Sequence, residues 1–344
     1  MSRFLLGMIN ISTREKGRIF IMPWLVTFFL KYGVKAYFLG RIAERMRQYI
    51  TKKYELTLPQ DKVDAVIDWS KIEWYKDLSD KVYEDEETIR NHFRMFCRVH
   101  VEEIDDVQVV VLIDDELQKC YISIRGTSNV DNVLQDLNFK KDPSARLGIS
   151  LHTGFHRLSE KITDYVLQII DKEYSVYLTG HSAGGACAVI TGWYLEHSGY
   201  QIVDCITFGQ PKVTDADGVR KMRGKIKITR VVNETDIVPL VPPAGTHRKR
   251  YAHVGNLIIL LDQGKFCYLP EPLSMNYGVN SFWLNAANES LSFYELGKEI
   301  PDHYLSRYGD NIEKIITDGD EVYWNDRLEY IEDHGIFGEW KEDK

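Results

Sequence analysis

"VYLTGHSAGGACAVI", residues 176–190, decides the fold. β-favouring residues run from Val176 to Thr179, and Gly180-His181-Ser182-Ala183-Gly184 follows before small residues take up a helical pattern. Two readings are open for Ser182: a nucleophile held on a strained strand-to-helix turn, or a tight loop with an incidental serine. Gly-x-Ser-x-Gly is a weak signal by itself, and its context strengthens it, because the motif must follow a strand and open a helix. "SVYLTG" supplies the strand and "AGGACAVITGWYLE" the helix. The glycines keep the turn free of side chains that would collide with neighbouring elements. Ser182 would then project its hydroxyl above a sheet, at the positive end of the helix.

Outward from this turn, strand and helix patterns alternate. "VQVVVLI" and "KCYISIRG", separated by "DDELQ", predict an antiparallel hairpin. "QIVDCITFG" and "KIKITRVVN" read as buried strands, and a helical stretch runs near Glu160 to Asp171. "SDKVYEDEETIRNHF", residues 79–93, reads as one capped, charged helix. Residues 263–300 read as a long decorated loop, and the stretch from Asn311 as acidic, aromatic and partly helical. The alternation predicts an α/β fold with a mostly parallel sheet covered by helices on both faces.

A serine hydroxyl needs a histidine base oriented by a carboxylate. In α/β-hydrolases these follow in the order Ser, Asp/Glu, His. Asp236, in "VVNETDIVPLVPP", lies just past the strand "KIKITRVVN", where loops at strand carboxyl ends build sites. Glu234 competes with it, whereas Asp215 and Asp217 fall in a turn. His303, in "IPDHYLSRY", is the leading base, and His253 its rival as a structural hydrogen-bonder. His247 sits in the basic cluster "HRKR", and His197 is too near the serine in sequence. Two donors for a developing oxyanion, each worth about 3 kcal/mol, are also needed. The backbone N–H groups of Ala183 and of Thr127, which follows the strand "YISIRG", are the candidates.

The chain of 344 residues, 44% hydrophobic, can bury a full core in one large domain or two smaller ones. Cys97, Cys120, Cys187, Cys205 and Cys267 form neither metal-ligand spacing nor a disulfide framework, and predict reduced thiols. The expected location is cytoplasmic or peripheral to a membrane, with secretion left open. The net charge of −8 hides an asymmetry, because residues 1–54 carry +9 and the remainder −17. The arm also holds an uncharged run, "IFIMPWLVTFFL", residues 19–30. At twelve residues the run is short of the roughly 20 that cross a bilayer as a helix. Thr27, Lys31 and Lys35 make a narrow polar stripe, and Arg41, Arg45, Arg47, Lys52 and Lys53 follow. Such a segment suits an anionic membrane interface; packing on the main domain or service as a secretory signal are the other readings.

Several blocks resemble the class 3 lipases, the fungal-lipase-like group, and occur in that family's order. They are "WYKDLSDKVYEDEETIR", "SIRGTSNVDNVLQDL", "LHTGFHRL", "VYLTGHSAGGACAVI", "ITFGQPKV", "VVNETDIVPLVPP", "YAHVG" and "PDHYLSRY". The resemblance covers about Trp74 to Tyr308 and does not reach residues 1–54. It implies an α/β-hydrolase domain from residue 55, in which Ser182, Asp236 and His303 match the triad and Thr127 and Ala183 the oxyanion hole. Two departures are visible. Val133 stands where many members have Trp, and the lid-like segment 128–137 is only mildly apolar.

The function expected is hydrolysis of a carboxylic ester, of an acylglycerol or other glycerolipid, with no metal or cofactor and no nucleic-acid partner. A short-chain carboxylesterase, a phospholipase A1 and a membrane-tethered binding scaffold are the alternatives.

Overall fold

A computed structural model describes residues 62–127, 140–236, 238–242, 251–271, 273–276, 301–324 and 326–331. The arm 1–54, the segment 128–137 and His247 lie outside the described residues. Two helices come first, α1 (Trp69–Lys81) and α2 (Glu86–Phe93). Strands β1 (Arg98–Ile104), β2 (Val107–Asp114), β3 (Lys119–Ile124), β4 (Lys141–Ser144) and β5 (Ile149–His152) follow. The middle of the chain holds α3 (Thr153–Ile169), β6 (Ser175–His181), α4 (Ala183–His197), β7 (Gln201–Phe208), β8 (Thr214–Asp215), α5 (Ala216–Met222) and β9 (Ile228–Asn233). Then come β10 (Tyr251–Ala252), β11 (Asn256–Leu260), β12 (Lys265–Leu269), α6 (Leu305–Asp318) and β13 (Asp320–Glu321).

A nine-stranded sheet has the order β1-β2-β3-β6-β7-β9-β11-β12-β13. Its centre, β3 through β11, is parallel, while β1–β2, β2–β3 and β11–β12 pair antiparallel. Strands in such a centre must be apolar on both faces, because helices cover each side. Their alternation bears this out. Val176, Leu178 and Cys205 face a core shared with α3 and α4. Ile206, Phe208 and Val231 face a second core shared with α1 and α6. Helix α4 sits deepest, with an unbroken buried run from Gly184 to Leu195.

The mostly parallel, two-sided α/β sheet and the β2–β3 hairpin agree with the sequence reading. Three elements differ from it. Residues 79–93 are not one helix: α1 ends at Lys81, and Asp85 caps α2 by accepting the Thr88 N–H at 2.9 Å. A capping carboxylate competes with continued helical bonding, and the break leaves Tyr83 in a loop. Helix α3 begins at Thr153, seven residues before Glu160, and buries Phe155 and His156 in its first turn. The supposed loop after Leu261 holds β12, which returns along β11 through Gln263 and Gly264, both at positive φ. A tight hairpin needs that conformation.

The first described residues are tied to the sheet's edge. The Glu321 carboxylate accepts the Val63 and Ala65 N–H groups, each at 2.9 Å. Glu321 pairs with Phe266, which pairs with Leu260, which pairs with Asn233, so the attachment lies at the same end of the sheet as the β9 carboxyl terminus. No helix among the described residues is long and apolar enough to cross a membrane. Because Ile190 of α4 is fully buried, Ile190→Ala is expected to lower the unfolding free energy by about 2–5 kcal/mol. Urea titration followed by circular dichroism checks this.

Candidate active site

Ser182 joins β6 to α4 with φ 56° and ψ −130°, a conformation costly for any residue with a side chain. Its backbone is locked from both sides. The Ser182 N–H donates to the Phe208 carbonyl at 2.9 Å, and its own carbonyl accepts the Ala186 N–H at 3.3 Å. The flanking glycines answer to close backbone approach. A Cβ on Gly180 would lie 2.5 Å from the Gly184 carbonyl carbon, and one on Gly184 would overlap the Ile124 carbonyl oxygen. Helix α4 therefore starts directly against the carboxyl end of β3. Ala183 is its first residue, and Thr127 stands exposed just past β3.

Asp236 and His303 meet across 67 positions of sequence. The His303 Nδ1–H donates to Asp236 Oδ2 at 2.7 Å, and both side chains are essentially sealed from solvent. The carboxylate is held by two more donors: the Tyr308 hydroxyl reaches Oδ2 at 2.6 Å, and the Val238 N–H reaches Oδ1 at 2.9 Å. With Nδ1 committed as a donor, Nε2 is the ring nitrogen left to take a proton. Nε2 is buried and has no hydrogen-bond partner among the described residues.

The imidazole packs over the end of β7. A Cβ on Gly209 would lie 2.8 Å from His303 Cε1 and 2.9 Å from Asp236 Oδ2. Phe208, one residue earlier, is the acceptor for the Ser182 N–H, and the His181 and His303 rings stand 4.4 Å apart. Ser182 and the Asp236–His303 pair thus share one end of the sheet, around the β6 and β7 termini.

The rivals fall elsewhere. Glu234 turns to the buried guanidinium of Arg327 at 3.1 Å. The His253 Nε2–H donates to the Pro239 carbonyl at 2.7 Å, which makes it a prop beneath the acid loop. Lys212 Nζ donates to that same carbonyl at 3.2 Å and also reaches Leu240 O. Burial, then the nearby Arg230 charge, holds the Lys212 amine well below its usual range. Asp215 caps α5 and pairs with Lys141 at 2.8 Å. The sequence reading missed Tyr308. Its only signal was its place in "HYLSRY", which α6 turns inward at the first helical turn.

Residues 121–246 match the family model "Lipase (class 3)". The lipase of Rhizomucor miehei is 33% identical over 153 residues, covering 41% of this chain and 42% of its own. The secreted mono- and diacylglycerol lipase 1 of Fusarium solani is 30% identical over 143 residues, covering 39% of this chain and 42% of that one. Phospholipase A1-II 4 of Oryza sativa subsp. japonica is 31% identical over 186 residues, 44% of this chain and 45% of its own. The chain thus spans about two fifths of the length of the curated relatives it matches. Among solved structures, the Rhizomucor miehei lipase–propeptide complex superposes with a TM-score of 0.53 at 23% identity, covering 73% of this chain and 86% of that one. Lipase II from Rhizopus niveus gives 0.53 at 20% identity, covering 69% and 94%. These two share the α/β-hydrolase fold of this chain. Residues 121–246, which hold the serine turn, Thr127 and the acid loop, are thus the part of the chain that is similar to the class 3 lipases.

Proposed function

We propose that the chain is a serine hydrolase of carboxylic esters acting on acylglycerols, with residues 55–344 as its catalytic domain. The observation that carries this reading is the buried Asp236–His303 pair at 2.7 Å, beside a serine held at positive φ. Asp236 keeps the His303 proton on Nδ1, so Nε2 acts as the base. His303 takes the Ser182 hydroxyl proton as the oxygen attacks the ester carbonyl. The Thr127 and Ala183 N–H groups receive the oxyanion that develops. The imidazolium, stabilised by Asp236, returns its proton to the leaving alcohol. Water then attacks the acyl-enzyme by the same route in reverse, and every group in the cycle is a side chain or backbone amide of this chain.

A glycerophospholipid is the second substrate to test, favoured by the matched phospholipase A1 relative and by the arm. Residues 1–54 carry +9 alongside an uncharged apolar run, a composition suited to anionic headgroups. The Glu321 carboxylate ties Val63 and Ala65, among the first described residues, to the serine-bearing end of the sheet. Unpaired thiols throughout suit a reducing compartment, with the arm directing the acidic body to a membrane surface.

Four measurements test this reading. Ser182→Ala is expected to lower p-nitrophenyl ester hydrolysis by about 10⁶-fold and to abolish fluorophosphonate labelling. Wild-type activity should rise from acetate toward palmitate, whereas activity confined to short chains would favour an esterase. Tyr308→Phe removes one buried donor to Asp236 and is expected to cost about 1–3 kcal/mol in unfolding free energy, read by denaturant titration. Replacing Arg41, Arg45, Arg47, Lys52 and Lys53 by Gln in the full chain should weaken sedimentation with anionic vesicles at least about 100-fold, at about 1 kcal/mol per lost charge. Butyrate ester hydrolysis should stay unchanged in that variant.

A further inference from the structure

His181, the residue before the serine, has no part in the steps above, yet it is buried and tilted against His303. Its Nε2 lies 2.7 Å from the His303 carbonyl oxygen, and its Nδ1 lies 3.2 Å from the Tyr83 hydroxyl. The Tyr83 oxygen also accepts the Gly126 N–H at 3.1 Å. A carbonyl can only accept, so Nε2 carries a proton. Burial, reinforced by the neighbouring His303, pushes His181 well below the usual histidine range, so the ring is neutral and Nδ1 is a lone pair. Tyr83 must then donate to Nδ1. Burial pushes its phenol up to about 12, so the proton stays on oxygen.

Every link now has one donor and one acceptor. The chain runs one way, from Gly126 N–H through Tyr83 O–H and His181 to the His303 carbonyl. Bonds aligned like this polarise one another. The Gly126 end is also sterically pinned: a Cβ there would lie 2.6 Å from Tyr83 Oη, 2.6 Å from His181 O and 3.2 Å from Ser182 Cβ.

We propose that Tyr83 and His181 are positioning residues that hold the Gly126–Thr127 loop and the His303 backbone at one spacing about Ser182. This rests on the reading of Ser182 and His303 as nucleophile and base. The bonded row ties the oxyanion side of the site to the base side through groups that touch no reacting atom. A loosened Thr127 N–H costs little in the bound ester, whose carbonyl carries little charge. It costs much in the transition state, where the charge has developed. The signature is therefore a fall in kcat without a matching change in KM.

The test is Tyr83→Phe in the full chain, beside wild type and Ser182→Ala, assayed on p-nitrophenyl esters. Stoichiometric fluorophosphonate titration normalises for folded enzyme. We expect kcat to fall about 10- to 100-fold with KM within a factor of about three, as for a misplacement near 1 Å. Affinity for an alkyl boronic acid, which mimics the tetrahedral intermediate, should fall by the same factor, an effect packing alone would not produce. Unchanged kcat and boronate affinity per titrated site would overturn the proposal. If Ser182→Ala turns over like wild type, the nucleophile reading itself falls and the positioning role with it. A measurement on unmutated protein guards against a variant that fails to fold. Long-range ¹H–¹⁵N spectra at pH 7 should show His181 neutral with its proton on Nε2, and an Nδ1–H or doubly protonated ring would sink the idea.

Discussion

The serine-bearing end of the sheet depends on how closely the first turn of α4 approaches the ends of β3 and β6. That approach allows no Cβ at Gly180 or Gly184, since one would meet Gly184 and the other the Ile124 carbonyl. It also forces Ser182 into a positive φ that the Phe208 and Ala186 bonds then hold. Strain of this kind persists only where surrounding structure over-determines it. Here the over-determination comes from two strands and a helix buried on all sides. The same closeness sets Ala183 at the helix start and Thr127 past β3, the two amides proposed to receive an oxyanion.

Around this turn, the polar groups of the interior divide by neighbourhood. Asp236 gathers three donors, and that concentration lets an acid stay buried beside an imidazole. Just beyond it, Lys212 and His253 both support the Pro239 carbonyl, so a buried amine and a histidine brace the acid loop from below. Asn233 extends the bracing, donating to the Asp302 carbonyl at 2.8 Å and accepting from Asn311 at 3.0 Å. The turn carrying His303 is thus fastened to the end of the strand that leads into Asp236. A loop-borne base gains rigidity it would lack alone.

The centre of the fold was legible because its signals are local. Two-sided apolar runs such as Gln201–Phe208 can only be strands between layers of helices. Gly-x-Ser-x-Gly between a strand and a helix narrows the nucleophile to one residue. The breaks were less legible. Tyr83 falls within what looks like one charged helix until Asp85 takes the Thr88 N–H and stops it. Strand β12 hides because Gln263 is not a residue type that announces a left-handed turn. Tyr308 gave no signal apart from its helix, since a tyrosine on an apolar helix face looks like core until its hydroxyl is seen on Asp236.

Sequence order alone could rank Asp236 over Glu234 and His303 over His253, but it could not separate them, since each pair lies within reach of the same strand ends. Tertiary structure decided both. Arg327 draws Glu234 away and Pro239 claims His253, which leaves only Asp236 and His303 at hydrogen-bonding distance. The sequence by itself determined the layered α/β sheet and the serine turn, because periodicity and steric freedom are written in neighbouring residues. The pairing of acid with base, and the row from Gly126 to His303, belong to the folded chain alone. Those contacts join residues 43 to 122 positions apart, and only burial in a common core brings them together.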